Sequence, residues 1–181
     1  MDIKELAIAG CYQITPTIFK DARGVFTKTF HSETLAEYNL DIELREEFFS
    51  ISKKNVLRGL HFQSPPSAHN KLVYCPKGAV LDFFVDIRIG SPTYGKHLLI
   101  ELNDKNSLML FLPIGIAHGF LSLEENSLMI YKTDCSYDSS ADTGLDFFSC
   151  DIELPIHRSE VIISQRDLEL LDFKQFISPF I

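Results

Sequence analysis

The sequence predicts an all-β protein, a barrel or double-sheet jelly roll with a few short helices near the ends, on three observations. Short runs of alternating apolar and polar residues recur through the middle of the chain. Glycine, proline and asparagine punctuate them at close intervals. Helical spacing is confined to one early stretch and one late one. No internal repeat or linker divides the chain, so residues 1–181 read as a single domain with a sizeable core.

Residues 6–18 alternate loosely and read as one or two edge strands, and KDARG (20–24) as a turn. Residues 25–30 form a short strand with Phe26, Lys28 and Phe30 on one face. Ser32 is a suitable N-cap, and Leu35 and Tyr38 follow at helical spacing, which predicts a helix over 32–38. ELREEFFSIS (43–52) is charged, then aromatic, and is assigned as a strand. NVLRGLHFQ (55–63) alternates at its end: His61 and Gln63 share one face, Leu60 and Phe62 the other. QSPPSAHN (63–70) is a loop set by two prolines. Residues 71–75 and 79–88 are strands joined by a Pro76-Lys77-Gly78 turn. The second has an apolar face of Leu81, Phe83, Val85 and Ile87, and an opposite face carrying Asp82, Phe84, Asp86 and Arg88. Further strands cover 97–102, 108–112, 120–123 and 128–135. PIGIAHG (113–119) and the polar run 138–144 are loops, and SQRDLELLDF opens a short helix capped by Ser164.

Charge and composition exclude several classes. Formal net charge is −8, with 25 acidic against 17 basic residues, which argues against a general nucleic-acid or anionic-membrane binder. Hydrophobic residues make up 45%, enough for a packed globular core. The longest apolar run, Leu108–Leu121, is broken by Pro113, Gly115 and His118 and is too short to span a bilayer. Asp2, Lys4 and Glu5 are unlike a secretory leader. Cys11, Cys75, Cys135 and Cys150 are widely spaced with no metal-type pattern, so they read as reduced thiols of a cytoplasmic protein.

Four residues stand out for chemistry: His61, Lys71 on the next strand, His118 in the Pro/Gly-framed loop, and Tyr131 on a later strand. Each has an ordinary reading beside it. A histidine between two large apolar neighbours is most often structural. Lys71 fits a solvated strand edge, His118 a plain loop histidine, and Tyr131 a core tyrosine with its hydroxyl at the rim. Asp82, Asp86 and Arg88 read best as a structural ion-pair network.

Six stretches then occur in a specific order: DARGVF (Asp21–Phe26), VLRGLHFQ (Val56–Gln63), KLVYCPKGAVLDFFVDIRIGSPTYG (Lys71–Gly95), LPIGIAHGF (Leu112–Phe120), YKTDCSY (Tyr131–Tyr137) and ISQRD (Ile163–Asp167). Together they resemble the dTDP-4-dehydrorhamnose 3,5-epimerase family, the RmlC-type cupin-like jelly rolls. The resemblance implies epimerisation of a nucleoside-diphosphate 4-keto-6-deoxy sugar at C3, C5 or both, for deoxysugar and polysaccharide precursors. It implies no cofactor. A 4-keto group acidifies its flanking C–H bonds, so inversion needs a base on one ring face, a proton donor on the other and a stabiliser of the enolate oxygen. By resemblance these are His61, Tyr131 and Lys71, with Asp167 orienting His61. Arg23 and Arg58 match diphosphate- and sugar-contacting arginines, His118 a further substrate contact, Tyr137 a stacking aromatic and Asp142 an acidic position. Arg166 takes a position usually held by lysine.

The same resemblance implies a homodimer whose exchanged N-terminal strands bring Arg23 and Lys28 to the neighbouring site. Lys28 stands where the family usually has an acidic residue. Glu46, Glu47 and Phe48 stand where it usually has a Gln-Asp-Asn-like stretch, and Phe147 and Leu154 replace tryptophans. These departures touch nucleobase recognition and raise a CDP- or GDP-linked substrate as an alternative; epimerisation at one carbon is a separate one. A surface Lys28–Glu46 pair is the plain reading of the same residues. A non-catalytic sugar-nucleotide binder and a metal-dependent cupin are further rivals. The second lacks the H-x-H pair, because Phe62 and Gln63 follow His61 while His69, His97 and His118 are scattered, so no metal is expected.

Overall fold

The computed structural model describes residues 1–40 and 42–181. Two antiparallel sheets face each other. The six-stranded sheet runs in the order β1 (Asp2–Glu5), β2 (Tyr12–Thr15), β10 (Met109–Leu112), β7 (Lys71–Lys77), β12 (Ser127–Thr133) and β5 (Glu46–Ser52). The five-stranded sheet is ordered β13 (Asp142–Gly144), β6 (Leu57–Gln63), β11 (Ile116–Ser122), β8 (Ala79–Asp86) and β9 (His97–Asn103). A separate hairpin, β3 (Thr17–Asp21) with β4 (Gly24–Lys28), pairs with neither. The helices are short: α1 (Ser32–Ala36) and α2 (Gln165–Leu168). This is the expected double-sheet jelly roll.

Period-two alternation explains the layers. Between the sheets, Val73, Leu110 and Met129 from one meet Val80, Phe84 and Phe120 from the other. The outer face of the five-stranded sheet buries Leu60, Phe62, Phe83 and Val85 under Leu145, Phe147, Ile152 and Phe180 of the C-terminal region. The outer face of the six-stranded sheet buries Ile14, Leu72 and Met109 under Leu35, Leu40 and Ile42. Because Leu60 and Phe62 point outward, His61 and Gln63 point between the sheets. The same parity sends Asp82 and Phe84 inward on β8.

Several boundaries differ from the sequence reading. The first strand begins at Asp2, and residues 6–11 turn back to β2 with Ile8 and Cys11 buried. The β7 strand runs through Pro76 to Lys77, and Gly78 at φ +78° makes the turn. Ser32 is the first helical residue rather than the cap; His31 is the N-cap and makes no side-chain capping bond. His118 is not in a loop. Residues 116–122 pair with β6 on one side and β8 on the other, so the strand is central despite its glycine and flanking proline. The polar run 138–144 ends in β13, which pairs with the last residues of β6. Ser164 does cap α2, accepting from the Asp167 N–H at 3.1 Å.

The expected ion-pair network splits in two. Asp86 accepts from Arg88 Nε and Nη2 at 2.8 and 2.7 Å, from Ser91 Oγ at 2.5 Å and from Thr93 Oγ1 at 2.6 Å. Burial pushes its carboxyl up, but these donors outweigh it and hold the group down at about 2. Asp82 takes no part in this network; its one partner is His118.

The β6–β11 contact depends on glycine. Gly59 has φ +108°, and a Cβ there would lie 2.6 Å from Gly119 Cα and 2.6 Å from the His118 carbonyl oxygen. Gly59→Ala therefore combines strain with a backbone clash, and about 3 kcal/mol of lost stability is expected, or roughly 6–12 °C in Tm. Gly24→Ala, at φ +127° with open space around it, carries the strain alone and serves as the comparator in thermal unfolding. Equal Tm values for the two variants would contradict the packing argument.

Candidate active site

A cavity of about 260 Å³ opens between the two sheets. Its walls come from inward positions of five strands: Glu46, Phe48 and Ser50 of β5, His61 and Gln63 of β6, Lys71 of β7, His118 of β11 and Tyr131 of β12. Arg58, Tyr137, Asp142 and Arg166 stand in the same wall. The fold thus gathers residues spread over more than a hundred positions of sequence.

His61 and Asp167 form a pair. His61 Nε2 lies 2.8 Å from Asp167 Oδ1, and Asp167 Oδ2 accepts from the Gly59 N–H at 3.2 Å. Burial pushes the Asp167 carboxyl up, but the His61 hydrogen bond and charge, with the Gly59 N–H, hold it below the usual carboxylate range. An ionised Asp167 makes Nε2 the protonated nitrogen and leaves a lone pair on Nδ1. Asp167 sits in the single turn of α2, which Ser164 caps, so the orientation of His61 depends on that turn.

Lys71 Nζ donates to the His61 carbonyl at 3.0 Å. Burial pushes the ammonium down to about 8, with Asp142 and Asp82 acting in the opposite sense. Tyr131 stands on the facing sheet. Its ring stacks on Phe48 at 4.8 Å and meets His118 edge-on at 6.1 Å. Burial pushes the phenol well above its ordinary range, so it stays protonated at neutral pH. Ser50 Oγ lies 3.5 Å from its hydroxyl. His118 is the direct cross-strand neighbour of His61 and points its Nε2 at Asp82 Oδ2, 2.8 Å away.

The rim is a chain of polar contacts. Arg166 Nη2 pairs with Asp142 Oδ2 at 2.6 Å, and the Tyr137 hydroxyl donates to the same oxygen at 3.3 Å. The Tyr137 N–H donates to Glu46 Oε2 at 2.6 Å. Arg58 Nε donates to Ser52 Oγ at 3.1 Å. Glu46 thus fixes the Tyr137 loop and forms no pair with Lys28, because Lys28 lies on the stand-off hairpin. Arg23 is at that hairpin's tip, bound to Asp21 at 2.6 Å. Within one chain neither Arg23 nor Lys28 lines the cavity.

Among the wall residues that the sequence reading of the site missed are Ser50, His69 and Gln63. Gln63 shares the His61 face, and the alternation was its only signal. Its buried amide donates to the Ser67 carbonyl at 2.8 Å and accepts from the Asp138 N–H at 2.7 Å, tying two rim loops together. His69 beside it is pushed down to about 4 by burial and by Lys71. Among the described residues no group of three His, Cys, Asp or Glu side chains is arranged to hold a metal ion, and no helix is long and apolar enough to cross a membrane.

Residues 5–175 match the family model described as dTDP-4-dehydrorhamnose 3,5-epimerase. The dTDP-4-dehydrorhamnose 3,5-epimerase of Sinorhizobium fredii is 40% identical over 80% of this chain and 75% of its own. The dTDP-4-dehydrorhamnose 3-epimerase of Streptomyces niveus is 33% identical over 94% and 83%. The structure resembles the Legionella pneumophila dTDP-6-deoxy-D-glucose-3,5-epimerase in complex with dTDP-4-keto-L-rhamnose, with TM-score 0.92 and 31% identity over 97% of this chain and 94% of that one. With its strand order, its cavity and these matches, the chain belongs to the dTDP-4-dehydrorhamnose 3,5-epimerase family.

Proposed function

We propose that residues 1–181 act as one isomerase domain that inverts carbons flanking the ketone of a dTDP-linked 4-keto-6-deoxy sugar, in the supply of deoxysugar precursors. The carrying observation is the His61–Asp167 pair on one sheet with Tyr131 on the facing sheet of the same cavity. His61 Nδ1 takes the proton from the acidified C–H. The electron pair moves into the enolate, whose oxygen the Lys71 ammonium stabilises. Tyr131 returns a proton to the opposite ring face. Its phenolate is then reprotonated from solvent while His61 gives up the proton that it took. Arg58, His118, Tyr137, Asp142 and Arg166 hold the sugar and diphosphate at the rim, with Glu46 and Phe48 on the nucleoside side.

The chain functions as a homodimer in this reading. The β3–β4 hairpin leaves Phe26 62% exposed, and the edge strand β5 leaves Phe49 65% exposed. Strand exchange covers both and carries Arg23 and Lys28 to the partner's site. Light scattering should give the dimer mass, and Phe26→Glu should yield a folded monomer with weakened substrate binding. A monomeric, fully active wild type contradicts the exchange.

Chemistry is tested by NMR of deuterium incorporation from D2O into dTDP-4-keto-6-deoxyglucose. Exchange at both C3 and C5 is expected, and exchange at one carbon identifies a single-site enzyme. His61→Ala should lower the rate by about 10²–10⁴ while circular dichroism stays unchanged. Normal exchange in that folded variant removes His61 as the base.

The pH profile follows from Lys71. Its folded value is depressed, and the cation is the working form, so kcat/KM should fall as pH rises through about 8. A profile flat to pH 10 would remove Lys71 from the mechanism.

A further inference from the structure

Asp82 is the carboxylate that the family reading leaves without a task, and the sequence alone assigns it to a structural network. It is 0% exposed. Among the described residues the other two buried aspartates are well supplied: Asp86 has five donors, and both oxygens of Asp167 are taken. Asp82 has one. Its Oδ2 faces His118 Nε2 at 2.8 Å, and its Oδ1 is, among the described residues, the one buried side-chain polar atom without a hydrogen-bond partner. A half-satisfied buried carboxylate is costly and is a poor way to stabilise a fold. An amide at this position would hold the same His118 tautomer without burying a charge. Burial raises the Asp82 carboxyl above its ordinary range, with His118 and then Lys71 pulling the other way. A carboxylate here, where an amide would serve the tautomer, points to a charge tied to a cation on His118. Its neighbours fit: His118 lines the cavity with Lys71 and Tyr131, and both feel the Asp82 charge.

We propose that Asp82 is a positioning residue: it fixes His118 through Nε2–H and lets that imidazole carry positive charge towards an anionic oxygen of the substrate. That oxygen is either the enolate oxygen or a phosphoryl oxygen. The inference rests on the epimerase reading. A wild type without epimerase activity would count against that reading, whereas the comparison below isolates Asp82.

Asp82→Asn keeps an acceptor for Nε2–H and removes the charge. Expected are a Tm equal to the wild type or higher by roughly 2–4 °C, because a buried charge is gone, and a kcat/KM at least about tenfold lower. Calorimetry with dTDP separates the two oxygens. Unchanged dTDP affinity with lowered kcat assigns the enolate oxygen, and weakened dTDP binding with retained kcat assigns a phosphoryl oxygen. Unchanged kinetics, or a lowered Tm with activity lost only in step with folded protein, overturns the proposal. Should the variant not fold, ¹⁵N NMR of the wild-type histidines decides. His118 protonated at Nε2, gaining a proton at Nδ1 when dTDP or substrate binds, supports it; a free protein with Nδ1–H and a bare Nε2 overturns it.

Discussion

Taking a carboxylate out of water costs several kcal/mol, and this barrel does so at Asp82, Asp86 and Asp167. The three are handled differently, and the difference divides the molecule. Asp86 is saturated by Arg88, Ser91 and Thr93 and locks the end of β8 to the turn that follows. Asp167 is matched to one histidine and one backbone N–H, enough to keep it ionised. Asp82 has only His118. Asp86 and Asp167 are thus satisfied at both oxygens, while Asp82, beside a cavity-lining histidine, keeps one oxygen without a partner.

The interior alternation makes this division possible. Along β6, β8, β11 and β12 every second residue faces the space between the sheets. Some of these positions, Val80, Phe84 and Met129, pack. Others, His61, Gln63, His118 and Tyr131, line the cavity. One set of strands supplies both a core and a site. The site residues therefore inherit the rigidity of paired strands, and His61 and His118 sit opposite each other because β6 and β11 are neighbours in register.

Much of this was legible in the sequence. The Leu60–Gln63 alternation set His61 and Gln63 on one face, and the pattern of β8 separated Asp82 and Asp86 from its apolar side. Turn residues gave most strand limits within a few positions. What sequence could not supply was pairing. His118 looked like a loop residue because Pro113, Gly115 and Gly119 punctuate its segment, yet β6 and β8 pair with it on both sides and override those signals. Asp82 and Asp86 share a face and looked equivalent. Only the cross-strand partner distinguishes them: Asp82 meets a histidine from β11, while Asp86 finds the arginine two residues along its own chain. Glu46 and Lys28 were candidates for one surface pair because the resemblance sets both, with opposite charges, at the nucleobase end of the site. The hairpin's separation from both sheets takes Lys28 away.

The short helix α2 ties the rim to His61. Arg166 and Asp167 are adjacent residues of one turn, and their side chains serve opposite ends of the site. Arg166 reaches Asp142 on β13, and Asp167 reaches His61 on β6. Strand β13 itself pairs with β6 at His61 and Gln63. That close approach depends on Gly144, where a Cβ would collide with the Leu60 carbonyl. Arg166, Asp142, His61 and Asp167 therefore form a closed ring through one strand pair and one helical turn. Any ligand oxygen that draws Arg166 off Asp142 acts one residue from the group that aligns His61. Geometry alone thus couples the Arg166–Asp142 contact at the rim to the alignment of His61.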